Sequence, residues 1–159
     1  MGSSLQFHDV FAAEPGAADG VPFARFMELA MYHPQVGYYT SARRRVGRDK
    51  AADFFTATTF NPIFGELVVA ATIALLAPAR PAEFIFVEIG AEPGGGALRD
   101  IAHPFAGYRM ITYGQPFELP PRAVVFSNEL FDAQPFHRVV RRGQAWCELG
   151  VAQIGRAHV

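Results

Sequence analysis

Cysteine is nearly absent from this sequence, since Cys147 is the one cysteine among 159 residues. A disulfide bond within the chain is therefore excluded, and a reducing compartment is the simpler assumption. Neither sign of charge is in excess, with 14 basic and 15 acidic residues. Composition therefore gives no reason to expect nucleic acid or an anionic membrane as a partner.

No apolar run is long enough to cross a membrane. The longest, LVVAATIALLAP at residues 67–78, is well short of the roughly 20 apolar residues that a helical span needs. The first residues also lack the basic stretch and apolar core of a secretory signal. These features predict a cytoplasmic protein with no membrane span.

What is present is enough for one folded domain: half of the residues are apolar. Residues 1–20, rich in Gly, Ala and Pro, show no periodicity and are expected to be a mobile lead-in. Apolar residues at helical spacing then predict two helices. One begins at Pro22 and ends before Pro34, and the other is capped by Asn61, has Pro62 at its first position and ends near Pro78.

Three apolar runs in the second half predict strands: FIFVEIG (84–90), YRMITYG (108–114) and RAVVFSN (122–128). A glycine turn and a short helix near residues 97–102 are expected between the first two. HRVVRRGQAWCEL (137–149) predicts a hairpin that turns at Arg142-Gly143. This order of elements predicts an α/β fold with a parallel, Rossmann-like sheet.

The stretch FIFVEIGAEPGGGALRD (84–100) has the order of a nucleotide-binding turn. No lysine follows its glycines, so a GxxxxGK[ST] phosphate loop is absent and hydrolysis of a nucleoside triphosphate is not expected. Glu88, directly before the turn, would repel a pyrophosphate but attract an amino group or a sulfonium. A tight strand-to-helix turn without a ligand is the alternative, and both interpretations stay open.

A second polar group, in SNELFDAQP (127–135), directly follows a predicted strand. The Asn128 amide can donate and accept hydrogen bonds, and the carboxylates of Glu129 and Asp132 could hold a cationic nucleophile or take its proton. The alternative is that Asn128 and Asp132 only cap the next helical turn.

Together these segments resemble the MidA family of S-adenosylmethionine-dependent methyltransferases. The resemblance is carried by YHPQVGYYT (32–40), ADFFT (52–56), VEIG with its glycines, and SNELFDA (127–133), and it covers most of residues 23–151. It implies a class I methyltransferase sheet with N-terminal helical additions and S-adenosylmethionine as cofactor. It also implies a protein substrate, such as a respiratory-complex subunit, that is methylated on an arginine nitrogen.

The resemblance assigns two groups of site residues. Glu88, Gly90, Gly94 and Gly96 are the expected cofactor-binding residues of an E-x-G-x-G-x-G turn. Glu129, Asn128 and Asp132 match an N-E-x-x-D segment and are the expected catalytic group, with Glu129 binding a guanidinium and Asn128 orienting it. The stretch at 53–56 is expected to close over the cofactor.

Two departures from the family pattern leave an alternative open. Either Glu92 replaces the middle glycine and crowds the methionine part of the cofactor, or GAEPGGG contains an insertion and residues 94–96 make the close approach. The next strand ends Tyr113-Gly114-Gln115, without the acid that usually binds ribose, and Glu118 is the nearest carboxylate. The alternative function is a degenerate, non-catalytic module that binds or assembles proteins.

The ends of the chain complete the predicted organisation. We expect residues 154–159 to be a non-native tail and the natural protein to continue beyond this chain, which by itself should be inactive. The predicted parts are a lead-in (1–20), a helical region with a lid loop (21–80), a partial Rossmann-like methyltransferase core that is incomplete at its C-terminus (81–153), and the tail.

Overall fold

The structure is a computed structural model that describes residues 5–40, 62–91 and 95–154. Within these ranges lie three α-helices: α1 (Phe7–Ala12), α2 (Phe23–Tyr32) and α3 (Ile63–Leu76). Seven strands are formed: β1 (Val21–Pro22), β2 (Ile85–Ile89), β3 (Gly107–Ile111), β4 (Ala123–Ser127), β5 (Val139–Arg142), β6 (Ala145–Glu148) and β7 (Gly150–Val151). The chain divides into two compact units, one from residues 1–42 with 131–159 and the other from residues 43–130.

The unit of residues 43–130 contains a three-stranded parallel sheet in the order β3-β2-β4. The central strand β2 is an apolar run because it has a neighbour on each side and little solvent contact, as parallel strands usually do. This sheet confirms the predicted α/β, Rossmann-like fold and its three predicted strands.

One face of the sheet carries the core of this unit. Side chains alternate along a strand, so Phe86 and Glu88 share that face with Tyr108 and Met110 of β3, which pair beside them. Helix α3 turns Val69 toward it. The buried members of the core are Val69, Phe86, Ala97, Leu98 and Phe105.

The predicted short helix near residues 97–102 is wrong. Residues 97–100 form turns, closed by hydrogen bonds from the Arg99 amide to the Gly96 carbonyl (3.4 Å) and from the Ile101 amide to the Leu98 carbonyl (3.2 Å). Asp100 has a φ of 62°, which is incompatible with continuing a right-handed helix. Pro104 follows soon after, and so short a segment gains too few hydrogen bonds to nucleate a helix.

The unit of residues 1–42 and 131–159 corrects the expectation of an irregular lead-in. Phe7 and Phe11 lie on one side of α1, and Gln6 with Asp9 forms a capping box at its start. Phe11 is buried with Val21 and Leu29. The apolar spacing at residues 7, 10 and 11 is typical of such a helix. The Gly- and Ala-rich composition of residues 1–20 obscures this pattern in the sequence. β1 pairs with β7, antiparallel, in the same unit.

The other predicted elements are confirmed with small shifts in their ends. Helix α2 begins directly after Pro22 and ends at Tyr32, and α3 ends at Leu76. Pro62 is the N-cap of α3 and not its first helical residue, while the predicted cap Asn61 lies outside the described residues. The hairpin of β5 and β6 turns at residues 143–144, where Gly143 has a φ of 61°.

Among the described residues, none of the helices combines the length and apolarity needed to cross a membrane.

Candidate functional site

The candidate site lies at the carboxyl ends of two neighbouring parallel strands. Ile89, the last residue of β2, pairs with Ser127, the last residue of β4. Gly90 therefore leaves one strand beside the point where Asn128 leaves the other. In parallel α/β sheets this edge is where ligands bind, and the structure brings the glycine turn and the SNELFDA segment together there.

Gly90 joins the two segments by a direct contact. Its φ of 79° lies in the left-handed region, which glycine adopts at no steric cost. A Cβ atom at this position would lie 2.7 Å from Cδ1 of Leu130. The Gly90 amide also donates to the Ile111 carbonyl of β3 at 2.9 Å. Glycine is thus required here both by backbone conformation and by the packing of Leu130.

Glu88 lies below the turn and is only 2 % exposed. Its Oε2 accepts a hydrogen bond from the Ala97 amide at 2.7 Å and another from the Tyr108 hydroxyl. A buried carboxylate is costly unless donors of this kind surround it. The structure therefore places the predicted cofactor-binding acid inside the protein, where it links the turn to β3.

Tyr108 is the site residue that the sequence prediction missed. Burial, and then its hydrogen bond to Glu88, raises the pKa of the Tyr108 hydroxyl, while a backbone hydrogen bond from Leu98 acts in the opposite direction. The hydroxyl therefore stays protonated and remains a donor at neutral pH. Alternation along β2 and β3 is the signal that could have placed Tyr108 beside Glu88.

Gly96 lies where these side chains converge. Its φ is 118°, and a Cβ atom there would collide with the Tyr108 hydroxyl and lie 2.7 Å from the Met110 sulfur. The same point is 3.3 Å from Oε2 of Glu88. The space that a side chain would need is filled by the protein itself, so Gly96 fits the turn closely against β2 and β3.

Asn128 and Glu129 are the polar side chains at the end of β4. Asn128 is half-buried and Glu129 is exposed, and within the described residues neither side chain has a hydrogen bond or an ion pair. Glu129 has a φ of 51°. A left-handed backbone costs a non-glycine residue about 1–2 kcal/mol, and such conformations are concentrated at functional sites.

Other predicted site residues lie elsewhere or outside the description. Asp132 is exposed in the short 3-10 helix Phe131–Ala133, which belongs to the other compact unit. Gly94, Glu92 and the loop at 53–56 lie outside the described residues. The structure therefore brings Glu88 and Gly96 together and places Gly90 beside the end of β4, where Asn128 and Glu129 follow.

The connection from β3 to β4 is direct. Residues 112–122 contain no helix or strand, and their first turn is held by the Thr112 amide, which donates to Oε1 of Gln115 at 2.8 Å. Glu118 lies exposed in this connection. In the described residues no group of three or more His, Cys, Asp or Glu side chains could hold a metal ion.

Comparisons with known proteins find similarity to methyltransferases. Residues 108–156 match a family model described as "Putative S-adenosyl-L-methionine-dependent methyltransferase". Over 86 residues the chain is 40 % identical to the protein arginine methyltransferase NDUFAF7 homolog, mitochondrial, of Drosophila melanogaster, a match that includes 51 % of this chain and 18 % of that protein.

A solved structure supports the fold over nearly the whole chain. It is a COG1565 superfamily member from Burkholderia thailandensis, bound to S-adenosyl-homocysteine, which superposes with a TM-score of 0.63 at 22 % identity. The superposition covers 92 % of this chain and 46 % of that one. The chain thus spans less than half the length of each of these two relatives.

Proposed function

We propose that this chain, for which the family model and both relatives support a MidA-like methyltransferase family, carries the cofactor-binding edge of an S-adenosylmethionine-dependent methyltransferase. The observation that carries the proposal is the packing of Leu130 on Gly90. It brings a glycine turn and two polar side chains to the same edge of a parallel sheet. The comparisons do not favour the alternative of a non-catalytic module.

The described residues fit the cationic part of this cofactor. S-adenosylmethionine carries an ammonium and a sulfonium, and the exposed Glu129 carboxylate makes the edge of the sheet negative, which attracts both groups while the carboxylate itself is left for the acceptor. The Asn128 amide can accept from an ammonium or donate to a carboxylate. Beside them the Gly90 backbone is exposed, so a ligand could reach it from solvent, while Leu130 fills the place of a Cβ atom.

When bound, the cofactor would supply a methyl group whose bond to a positive sulfur breaks as its bond to the acceptor nitrogen forms; the sulfur would leave as a neutral thioether, and the proton released by the nitrogen would pass to the Glu129 carboxylate. The chain therefore has little bond-making chemistry to perform, and its contribution is to hold the acceptor in line with the methyl carbon. Orientation of this kind can supply about 7–11 kcal/mol of a reaction barrier. The residues that we assign to this task are Glu129 and Asn128.

The acceptor that suits these residues is an arginine side chain of a protein. A guanidinium presents a planar fork of donors that a carboxylate such as Glu129 can accept through two parallel, charge-assisted bonds. The printed name of the fly relative, a protein arginine methyltransferase, supports the same substrate class. Asp132, a respiratory-complex subunit as substrate, and a cytoplasmic location stay predictions; the name of the relative places that protein in mitochondria.

Cofactor binding is tested by isothermal titration of the 159-residue chain with S-adenosyl-homocysteine. Binding is measured because the chain by itself is expected to be inactive. We expect saturable binding that weakens about tenfold or more in Gly90→Val, whose side chain would displace Leu130 and with it the neighbouring Asn128–Glu129 segment. Gly143→Val, at the positive-φ glycine of the β5–β6 hairpin, is the matched control. A folded chain that shows no binding would end the proposal.

The arginine assignment is tested with peptides. A short peptide containing arginine should bind the cofactor-loaded chain more tightly than the same peptide with lysine, and Glu129→Gln should remove most of the difference. Equal binding of both peptides to the unchanged chain would contradict the arginine assignment and leave the cofactor proposal standing.

A further inference from the structure

One oxygen atom of Glu88 connects three parts of the sheet unit. Oε2 belongs to β2, accepts from the Ala97 amide at the end of the glycine turn, and accepts from the Tyr108 hydroxyl of β3. The turn leaves β2 at Gly90 and returns to the core at Ala97, which is fully buried. We call residues 96–98, where the chain comes back from the turn, the returning limb. This limb is fixed to both strands through the Glu88 carboxylate.

Solvent cannot take the place of either donor. Glu88 is 2 % exposed, so water has no room to reach the carboxylate when a donor is removed. A hydrogen bond to a charged group in such a place is worth about 1.5–3 kcal/mol, and leaving the group short of donors is costly. The Tyr108 hydroxyl therefore has a large effect on where the buried charge is held.

The packing around Gly96 fixes the turn in the same way. A Cβ atom there would collide with the Tyr108 hydroxyl and would crowd the Met110 sulfur. Leu98 is buried in the core against which Tyr108 packs. Gly96 therefore lies against Tyr108, and the next residue, Ala97, is bonded to Glu88, so a change in Tyr108 should move this part of the chain.

We propose that Tyr108 is a positioning residue for cofactor binding, acting through Glu88 on the returning limb of the glycine turn. The proposal rests on the proposed function, because the ligand that the turn serves is the cofactor. On this view Glu88 acts from below the turn, by holding the Ala97 amide, and has no contact with the ligand. Tyr108 touches neither the cofactor nor the acceptor.

The test compares two single-hydroxyl deletions. Tyr108→Phe removes the donor to Glu88, and Tyr32→Phe, the matched control, removes a hydroxyl that donates to the Ala133 carbonyl at 3.1 Å in the other unit. In each protein the exchange rate of the Ala97 amide is measured by NMR, and the affinity for S-adenosyl-homocysteine by titration. Circular dichroism checks that both variants are folded.

We expect Tyr108→Phe to speed the exchange of the Ala97 amide about tenfold and to weaken cofactor binding by a similar factor, as the loss of one hydrogen bond to a charge predicts. Tyr32→Phe should change both quantities less than about twofold. Should Tyr108→Phe not fold, Glu88→Gln tests the same link, because the carboxamide keeps the volume and removes the charge. Its expected loss of affinity is again about tenfold.

Each outcome of this test either supports the proposal or overturns it. Faster exchange with unchanged affinity means that Tyr108 is structural only, which overturns the proposal, and so does unchanged exchange in a folded variant. If the unaltered chain binds cofactor and Tyr108→Phe binds it equally well, this inference fails alone. If the unaltered chain does not bind, the proposed function fails first and the inference falls with it.

Discussion

Replacing Gly90 with alanine tests whether the glycine turn and the SNELFDA segment meet as the structure describes. The added Cβ would lie 2.7 Å from Cδ1 and 3.6 Å from Cγ of Leu130, but 3.8 Å from its Cβ. The first distance is a collision, and the last is an ordinary van der Waals contact. The change also places alanine at a φ of 79°.

The two costs can be separated by truncating Leu130. The left-handed backbone should cost alanine about 1–2 kcal/mol in either background. The collision should add about 1–3 kcal/mol, typical of overpacking, only while Cγ and Cδ1 are present. Gly90→Ala is therefore expected to lower the free energy of unfolding by about 2–5 kcal/mol in the native chain. In the Leu130→Ala background the expected loss is only that of the left-handed backbone, about 1–2 kcal/mol.

The assay is urea unfolding of the four proteins of this double-mutant cycle, followed by circular dichroism. The coupling between the two positions should be about 1–3 kcal/mol, with the double variant less destabilised than the sum of the single ones. Gly90→Ala with the same cost in both backgrounds would show that Leu130 does not pack on the turn, and the reasoning about the shared edge would be refuted.

Four further outcomes follow from individual residues. Glu129→Gly should stabilise the chain by about 1 kcal/mol because it relieves a left-handed backbone, whereas Glu129→Ala should not; melting curves of both decide. Phe86→Ala should cost about 3–5 kcal/mol in urea unfolding, since Phe86 is fully buried in the core. Burial and a carboxylate neighbour raise the pKa of Tyr108 in the folded state, so the stability that it contributes is complete below about pH 10 and is lost as the pH rises further. The melting temperature should fall more steeply above that pH in the native chain than in Tyr108→Phe. Hydrogen bonds from Arg25 lower the pKa of Glu14, so their stabilisation is present above about pH 4.3 and is lost as the pH falls. The melting temperature should therefore fall less at acid pH in Glu14→Gln than in the native chain.

The sheet could be predicted from the sequence because each of its strands is mostly apolar, with Glu88 in β2 and Arg109 in β3 as the charged residues. FIFVEIG has no polar alternation because side chains on both faces of its strand are buried, at residues 86–88. The two larger helices were equally visible, through apolar spacing and the prolines at their ends. Helix α1 was missed because its apolar residues lie in a Gly- and Ala-rich segment, and only Phe11 of them is buried.

The polar contacts of the site could not be predicted in the same way. The sequence places Glu88 before a glycine turn, where an acid suits a cationic ligand. Which atoms surround its carboxylate depends on the packing of β3 against β2, and Tyr108 is 20 residues away along the chain. The left-handed backbone of Glu129 was also hidden, because nothing in the residue type favours that conformation.

The central claim is that the edge formed by the Gly90 turn and the Asn128–Glu129 segment binds the cofactor. The most direct measurement is an NMR titration of the isotope-labelled chain with S-adenosyl-homocysteine, read at the backbone amides. The account predicts saturable shifts at Gly90, Gly96, Asn128 and Glu129, with little change in the hairpin of β5 and β6. Saturable shifts confined to other residues, or no shifts at all from a folded sample, would contradict it.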